Sequence, residues 1–169
     1  MRNFIMFFCS VFFVVLNVQA QSTTIEEQVL VQSFSVYQMG LAYDEICNKT
    51  DPKTRYDTKK KENVMLFGNQ NLLTARIGGL MHKRNPDKTV DELVEDLINL
   101  SKVIEQAIKK KLNEQGCKGE AAQAAENAFK LYSTAQPIQI NSFLDKRIVE
   151  GGGTITPPEG RDAIGESPK

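Results

Sequence analysis

The chain has 169 residues, 41% of them hydrophobic, with 21 Lys plus Arg balancing 21 Asp plus Glu and one histidine, His82. Charge neutrality argues against nucleic acid as a partner, because binding a phosphate backbone needs a clustered basic surface. A single histidine leaves a zinc site short of ligands, and this length is expected to form one domain.

The chain opens MRNFIMFFCSVFFVVLNVQAQ, in which Arg2 supplies the positive segment, Phe4 to Leu16 an apolar run of thirteen residues, and Val18-Gln19-Ala20 a small-residue exit. That three-part pattern predicts a secretory signal peptide over residues 1–20, cut after Ala20. A bilayer-crossing helix needs about twenty apolar residues, so no permanent membrane anchor is expected. Arg2 and Cys9 leave with the leader, and the remaining 149 residues carry 20 basic against 21 acidic side chains. Export places the protein in a bacterial periplasm or outside the cell. There the remaining pair, Cys47 and Cys117, is expected to be joined as a disulfide.

Helix signals dominate residues 21–150. Thr23 with Glu26, and Thr24 with Glu27, both have capping-box spacing. Ile25, Val29, Leu30, Phe34, Tyr37 and Leu41 then recur at helical steps, predicting a first helix to about Cys47. Asn48-Lys49-Thr50 after it is formally a glycosylation acceptor, read here as a chance occurrence. Asp51-Pro52 has the form of a helix cap, yet Lys59, Lys60 and Lys61 sit poorly at a positive helix end, so the second helix is expected over Glu62 to Lys83. Asn85-Pro86-Asp87 closes it.

Inside that second helix Gly68, Leu72, Ala75 and Gly79 fall at steps of four, three and four. Each interior glycine costs about 1 kcal/mol relative to alanine, so Gly78 and Gly79 require a compensating role, and Gly68, Ala75, Gly78 and Gly79 are candidates for helix packing or a cleft. The expectation is close packing against Gly40 and Ala42 of the first helix, with a kink that opens a cleft as the alternative. Arg76, His82 and Arg84 form weak binding candidates near the C-terminal end, where the helix dipole by itself favours cations.

The third helix follows the capping box Thr89-x-x-Glu92 and carries one stripe of Val90, Leu93, Leu97, Leu100, Ile104, Ile108 and Leu112, with Gly116 as its C-cap. An alanine-rich fourth helix is expected to face Ala121, Ala125, Ala128, Phe129 and Tyr132 inward and to end at Pro137. A short fifth helix is expected from about Ser142 to Val149. Residues 151–169, rich in Gly and Pro without apolar period, are expected to form a flexible tail.

Short connections make consecutive helices antiparallel, so the predicted fold is all-α: a four-helix up-down bundle with a short fifth helix. In that arrangement Cys47, ending the first helix, and Cys117, preceding the fourth, share one pole.

Catalytic signals are thin. Asp44 and Glu45 are adjacent, and adjacent helical side chains diverge by about 100 degrees, a poor carboxylate pair. Ser33, Ser35, Ser101 and Ser133 lack nucleophile-elbow context, and no cofactor motif is found. The leading reading is an exported, non-enzymatic helical protein that binds a protein partner, such as an envelope or secretion assembly, with the tail either ordering on that partner or frayed. The alternatives are a small secreted hydrolase with a carboxylate-lined cleft near Gly78 and Gly79, and a carrier of an apolar ligand between the helices.

Overall fold

The computed structural model describes residues 24–57 and 59–156; the expected leader, residues 1–20, and the distal tail, residues 157–169, lie outside the described residues. The protein is all-α, with five helices and no strand among the described residues. They are α1 (Ile25–Ile46), α2 (Lys61–Arg84), α3 (Val90–Gln115), α4 (Glu120–Thr134) and α5 (Pro137–Glu150), with a 3-10 turn over Pro52–Tyr56 between α1 and α2.

Local chemistry accounts for most boundaries. Thr24 and Glu27 cap α1 reciprocally, the Glu27 amide donating to Thr24 Oγ1 at 3.2 Å and the Thr24 amide to Glu27 Oε2 at 2.8 Å. Thr89 and Glu92 do the same for α3, satisfying amides that an α-helix cannot satisfy itself. Gly116 ends α3 at φ 72, a left-handed conformation that glycine adopts without strain. Asp51-Pro52 caps the 3-10 turn instead of α2, with the Lys53 amide donating to Asp51 Oδ1 at 2.9 Å. Asn63 ties that turn to α2 by donating to the carbonyls of Thr54 and Asp57.

Pro137, read from sequence as a terminator, also begins α5, five residues earlier than expected. A proline at the first helical position has no amide to lose, and its φ is already helical. The Gln136 amide donates to Gln139 Oε1 at 2.9 Å and completes the start.

Contacts along the helices set their directions. Arg84, ending α2, pairs with Glu27, beginning α1. Lys109, near the end of α3, pairs with Glu45, near the end of α1. Tyr132, near the end of α4, donates to the Ser33 carbonyl in the first half of α1. These pairings alternate the direction of α1 to α4, as an up-down bundle requires. α5 continues the course of α4: Pro137 lies against Gly68, Asn141 and Asp145 reach Arg76, and Gly151 reaches Ile25. The fourth rod is therefore built from two helices broken at Ala135-Gln136, and α5 extends α4 instead of covering its alanines.

α1 lies at the centre and packs against every other helix. From Ile25 to Cys47 only Gln28 is exposed, which explains why α1 is apolar around most of its circumference. Leu30, Phe34 and Tyr37 on α1 meet Leu66, Leu73 and Ile77 on α2, Leu97, Ile104 and Leu112 on α3, and Leu144 on α5 in one core. Tyr37 and Tyr132 cross edge to face at 5.3 Å between ring centres. Ala122, Ala125, Ala128 and Tyr132 form the inward face of α4, one position away from the expected Ala121.

Residues 151–156 are not a loose tail. Gly152 at φ 81 stops α5, and Gly151 and Gly153 lie so close to Ile25 that an added Cβ would come within 2.8 and 3.0 Å of it. Beyond them the Thr156 amide and hydroxyl donate to the two Glu26 carboxylate oxygens at 3.0 and 2.7 Å. The glycine run that sequence composition marks as flexible is a close-packing device in its first residues, because only glycine fits that distance.

Candidate functional site

The sulfurs of Cys47 and Cys117 are joined, with Cα atoms 5.6 Å apart, at the pole shared by the end of α1 and the start of α4. The expected pairing and the expected pole are both present. At the same end Asp44 is buried, accepting from Asn48 Nδ2 at 3.0 Å and Thr50 Oγ1 at 2.9 Å, with Arg55 beside it. Glu45 instead pairs with Lys109 at 2.6 Å. Two adjacent carboxylates thus hold separate structural partners and share no cleft. Burial works against the Lys109 charge, but hydrogen bonds to Glu105 and Glu45 outweigh it and hold the ammonium above the ordinary lysine range.

The glycines on α2 do not pack against α1. Gly40 of α1, the expected acceptor, meets α4, where an added Cβ would lie 2.7 Å from the Phe129 amide nitrogen. Gly68 meets the Pro137 ring at 2.8 Å, Gly78 faces Leu97 at an ordinary 3.8 Å, and Gly79 has nothing within 4 Å. Ala75 and Gly79 are exposed and α2 runs unbroken through all four positions. The small-residue face therefore serves packing only at Gly68, where the partner is α5, and it opens no cleft at Gly78.

The basic candidates divide in the same way. Arg76 donates to Asp145 at 2.6 Å, to Asn141 at 3.1 Å and to Glu26 at 3.4 Å. It is a half-buried clamp that ties α1, α2 and α5. Arg84 is held by Glu27 at 3.0 Å, while His82 is exposed beside Lys83. An open depression of about 660 Å³ lies at this pole, bordered by Ile25, Leu80, Lys83, Gly152 and Ile155. Its carboxylates, Glu26 and Glu27, are already engaged by Arg76, Thr156 and Arg84. Among the described residues no group of three His, Cys, Asp or Glu is placed to hold a metal ion, and no helix is long and apolar enough to cross a membrane.

Among the described residues the polar Glu26, Gln38, Asp44, Asn69 and Ser133 are buried, and two of them make long-range contacts that periodicity does not anticipate. Asn69 occupies the inward face of α2 between Leu66 and Leu73, and it donates to the carbonyls of Tyr132 and Ala135, both at 2.9 Å. Both carbonyls lie at the break in the fourth rod, and Asn69 Oδ1 itself is buried without a hydrogen-bond partner. Glu26 is the second, and its capping-box spacing with Thr23 concealed its role as the anchor for Thr156. A polar residue at an inward helical position is the only signal that marks either one.

The most distinctive surface lies elsewhere. On α3, Val90, Val94 and Ile98 recur every four residues and remain 72, 47 and 47% exposed. Asp91 and Glu95 precede Val94 and Ile98 by three residues, so each carboxylate flanks the apolar ridge on the helix surface. On α5, Ile138, Phe143 and Val149 are likewise exposed, with Arg147 stacked over the Phe143 ring at 5.9 Å and Lys146 beside it. No protein-family model, curated protein or solved structure matches this chain.

Proposed function

We propose that this is an exported, non-enzymatic helical protein that acts as a protein-binding or accessory module in a bacterial periplasm or outside the cell, in an envelope assembly such as a secretion apparatus. The observation that supports it is the ridge Val90, Val94 and Ile98 on the outer face of α3. Fully burying a side chain of this kind contributes about 1.5–3 kcal/mol, so a partner that covers a half-exposed ridge gains a few kcal/mol from these three residues. The leader pattern in residues 1–20 and the Cys47–Cys117 bond support export, because disulfides persist in oxidising compartments.

The test is crosslinking in intact cells of its own source, comparing the natural chain with a Val94→Lys, Ile98→Lys double variant. The variant is expected to fold normally, since both positions already face solvent, and to lose its crosslinked adducts. Adducts retained at full yield would remove the ridge as the binding surface.

A further inference from the structure

We infer that Cys117 is a site of reversible thiolation: a low-molecular-weight thiol opens the Cys47–Cys117 bond at the Cys117 sulfur in the folded protein, and Cys47 closes it again. The site follows the end of α3, away from the ridge that begins at Val90, and does not depend on what that ridge binds.

The two sulfurs stand in unlike surroundings. Cys117 is exposed in the turn 116–119 between α3 and α4, and only two glycines and the exposed Gln115 and Lys118 lie within two residues of it. The turn itself is closed by one long bond, from the Gly119 amide to the Gly116 carbonyl at 3.4 Å. Cys47 is half-buried. Its amide donates to the Tyr43 carbonyl at 2.7 Å, and Ile46 before it packs against the core. Residues 48–50 then fold back on α1, the Thr50 amide donating to the Asp44 carbonyl at 3.1 Å while Asn48 and Thr50 side chains donate to the buried Asp44 carboxylate.

Access selects the sulfur. Exchange begins when a thiolate attacks one sulfur in line with the bond, so the sulfur that is reached decides the product. In-line attack on Cys117 comes from the open side of the turn; in-line attack on Cys47 comes from the wrapped end of α1. Charge acts in the same sense. Cys117 stands beside Lys118 and just before the positive end of α4, whereas Cys47 stands at the negative end of α1, where Glu45 and Lys49 offset each other. An anionic nucleophile is therefore drawn to Cys117.

The incoming thiolate forms a bond to Cys117 Sγ as the Cys47–Cys117 bond breaks, and the electron pair leaves on Cys47 Sγ, which takes a proton from solvent. The net reaction adds one thiol molecule and needs no other oxidant or reductant. In reverse, the Cys47 thiolate attacks Cys117 Sγ and expels the small thiol. The helices keep their other ties throughout. Gly40 stays against the Phe129 backbone, Tyr132 on the Ser33 carbonyl, Asn69 on the carbonyls of Tyr132 and Ala135, and Lys109 on Glu45. What is released is the turn 116–119.

Reduced glutathione is the probe. The purified, oxidised protein is incubated with it in the absence of denaturant, quenched at early times with N-ethylmaleimide, and mapped by mass spectrometry. The expected product carries glutathione on Cys117 and maleimide on Cys47, in a chain whose far-ultraviolet circular dichroism is unchanged. Glutathione on Cys47, an equal split, or a bond that opens only in urea overturns the inference. Single variants ask the same question without the exchange step. The remaining thiol of Cys47→Ser is expected to react with Ellman's reagent in the folded chain nearly as fast as in urea, and that of Cys117→Ser far more slowly than in urea. Equal protection of the two thiols also overturns it.

Discussion

One chemical change made at two glycines is expected to move stability in opposite directions. Gly40 and Gly79 both lie inside helices, and in each case a methyl group gains the helix propensity of alanine, about 1 kcal/mol. At Gly79 that gain is unopposed, since nothing lies within 4 Å of the new Cβ. Gly79→Ala is therefore expected to stabilise the fold by about 0.5–1 kcal/mol. At Gly40 the Cβ would lie 2.7 Å from the Phe129 amide nitrogen, 2.9 Å from its Cα and 3.0 Å from the Ala128 carbonyl carbon. All three are backbone atoms, so no side chain can swing aside and α1 and α4 must separate. Overpacking of this kind costs about 1–3 kcal/mol, and against the gain of about 1 kcal/mol in helix propensity the net effect is a destabilisation of up to about 2 kcal/mol. Urea unfolding at constant m separates the two, with the midpoint rising for Gly79→Ala and falling for Gly40→Ala. Midpoints that shift in the same direction would refute the placement of α4 against α1.

Three further outcomes follow from the same contacts. Replacing Cys47 and Cys117 together by serine opens a loop closed across a sequence separation of 70, and the urea-derived stability is expected to fall by about 4 kcal/mol on the chain-entropy estimate; a loss below about 1 kcal/mol would contradict it. Asn69→Leu removes the donor to the carbonyls of Tyr132 and Ala135, together with the unpaired Asn69 Oδ1, with an expected cost on the order of 1–2 kcal/mol by the same assay, because a buried acceptor left without a donor costs its desolvation. An unchanged midpoint would show that the break needs no cap. Burial pushes the Tyr132 hydroxyl from 10.0 to about 12. The unfolded chain then releases this proton first, so the contribution is complete below pH 10 and is lost at about 1.4 kcal/mol per pH unit as pH rises toward 12. Alkaline unfolding followed by circular dichroism should show this slope, and Tyr132→Phe should reduce it; identical slopes would contradict the assignment.

What could be read from the sequence follows a physical division. Residues whose role is set by their neighbours in sequence were legible: Thr24 and Thr89 as caps, Gly116 as a stop, and the apolar period of α3. The pairing of Cys47 with Cys117 was legible because alternating helices fix which ends meet. Roles set by distant backbone were not. Gly40 was assigned to the wrong partner because nothing in its spacing says which helix approaches it. Gly151 and Gly153 look like linker residues until Ile25 is found against them. Pro137 carries the signal of a helix end and of a helix start alike, and its spacing does not say that both apply. The α3 ridge is hidden inside its own periodicity: Val90 belongs to the expected core stripe, yet Leu93 and Leu97 are buried while Val90, Val94 and Ile98 stay outside.

The claim that this protein works through the outer face of α3 is tested most directly by a photo-crosslinking residue placed at position 94, compared with one at Gln106, which is also exposed, in the full chain within its own compartment. The expected result is a product from position 94 alone, mapped by mass spectrometry to one protein partner. No product from position 94, or equal yields from 94 and 106, would contradict the account.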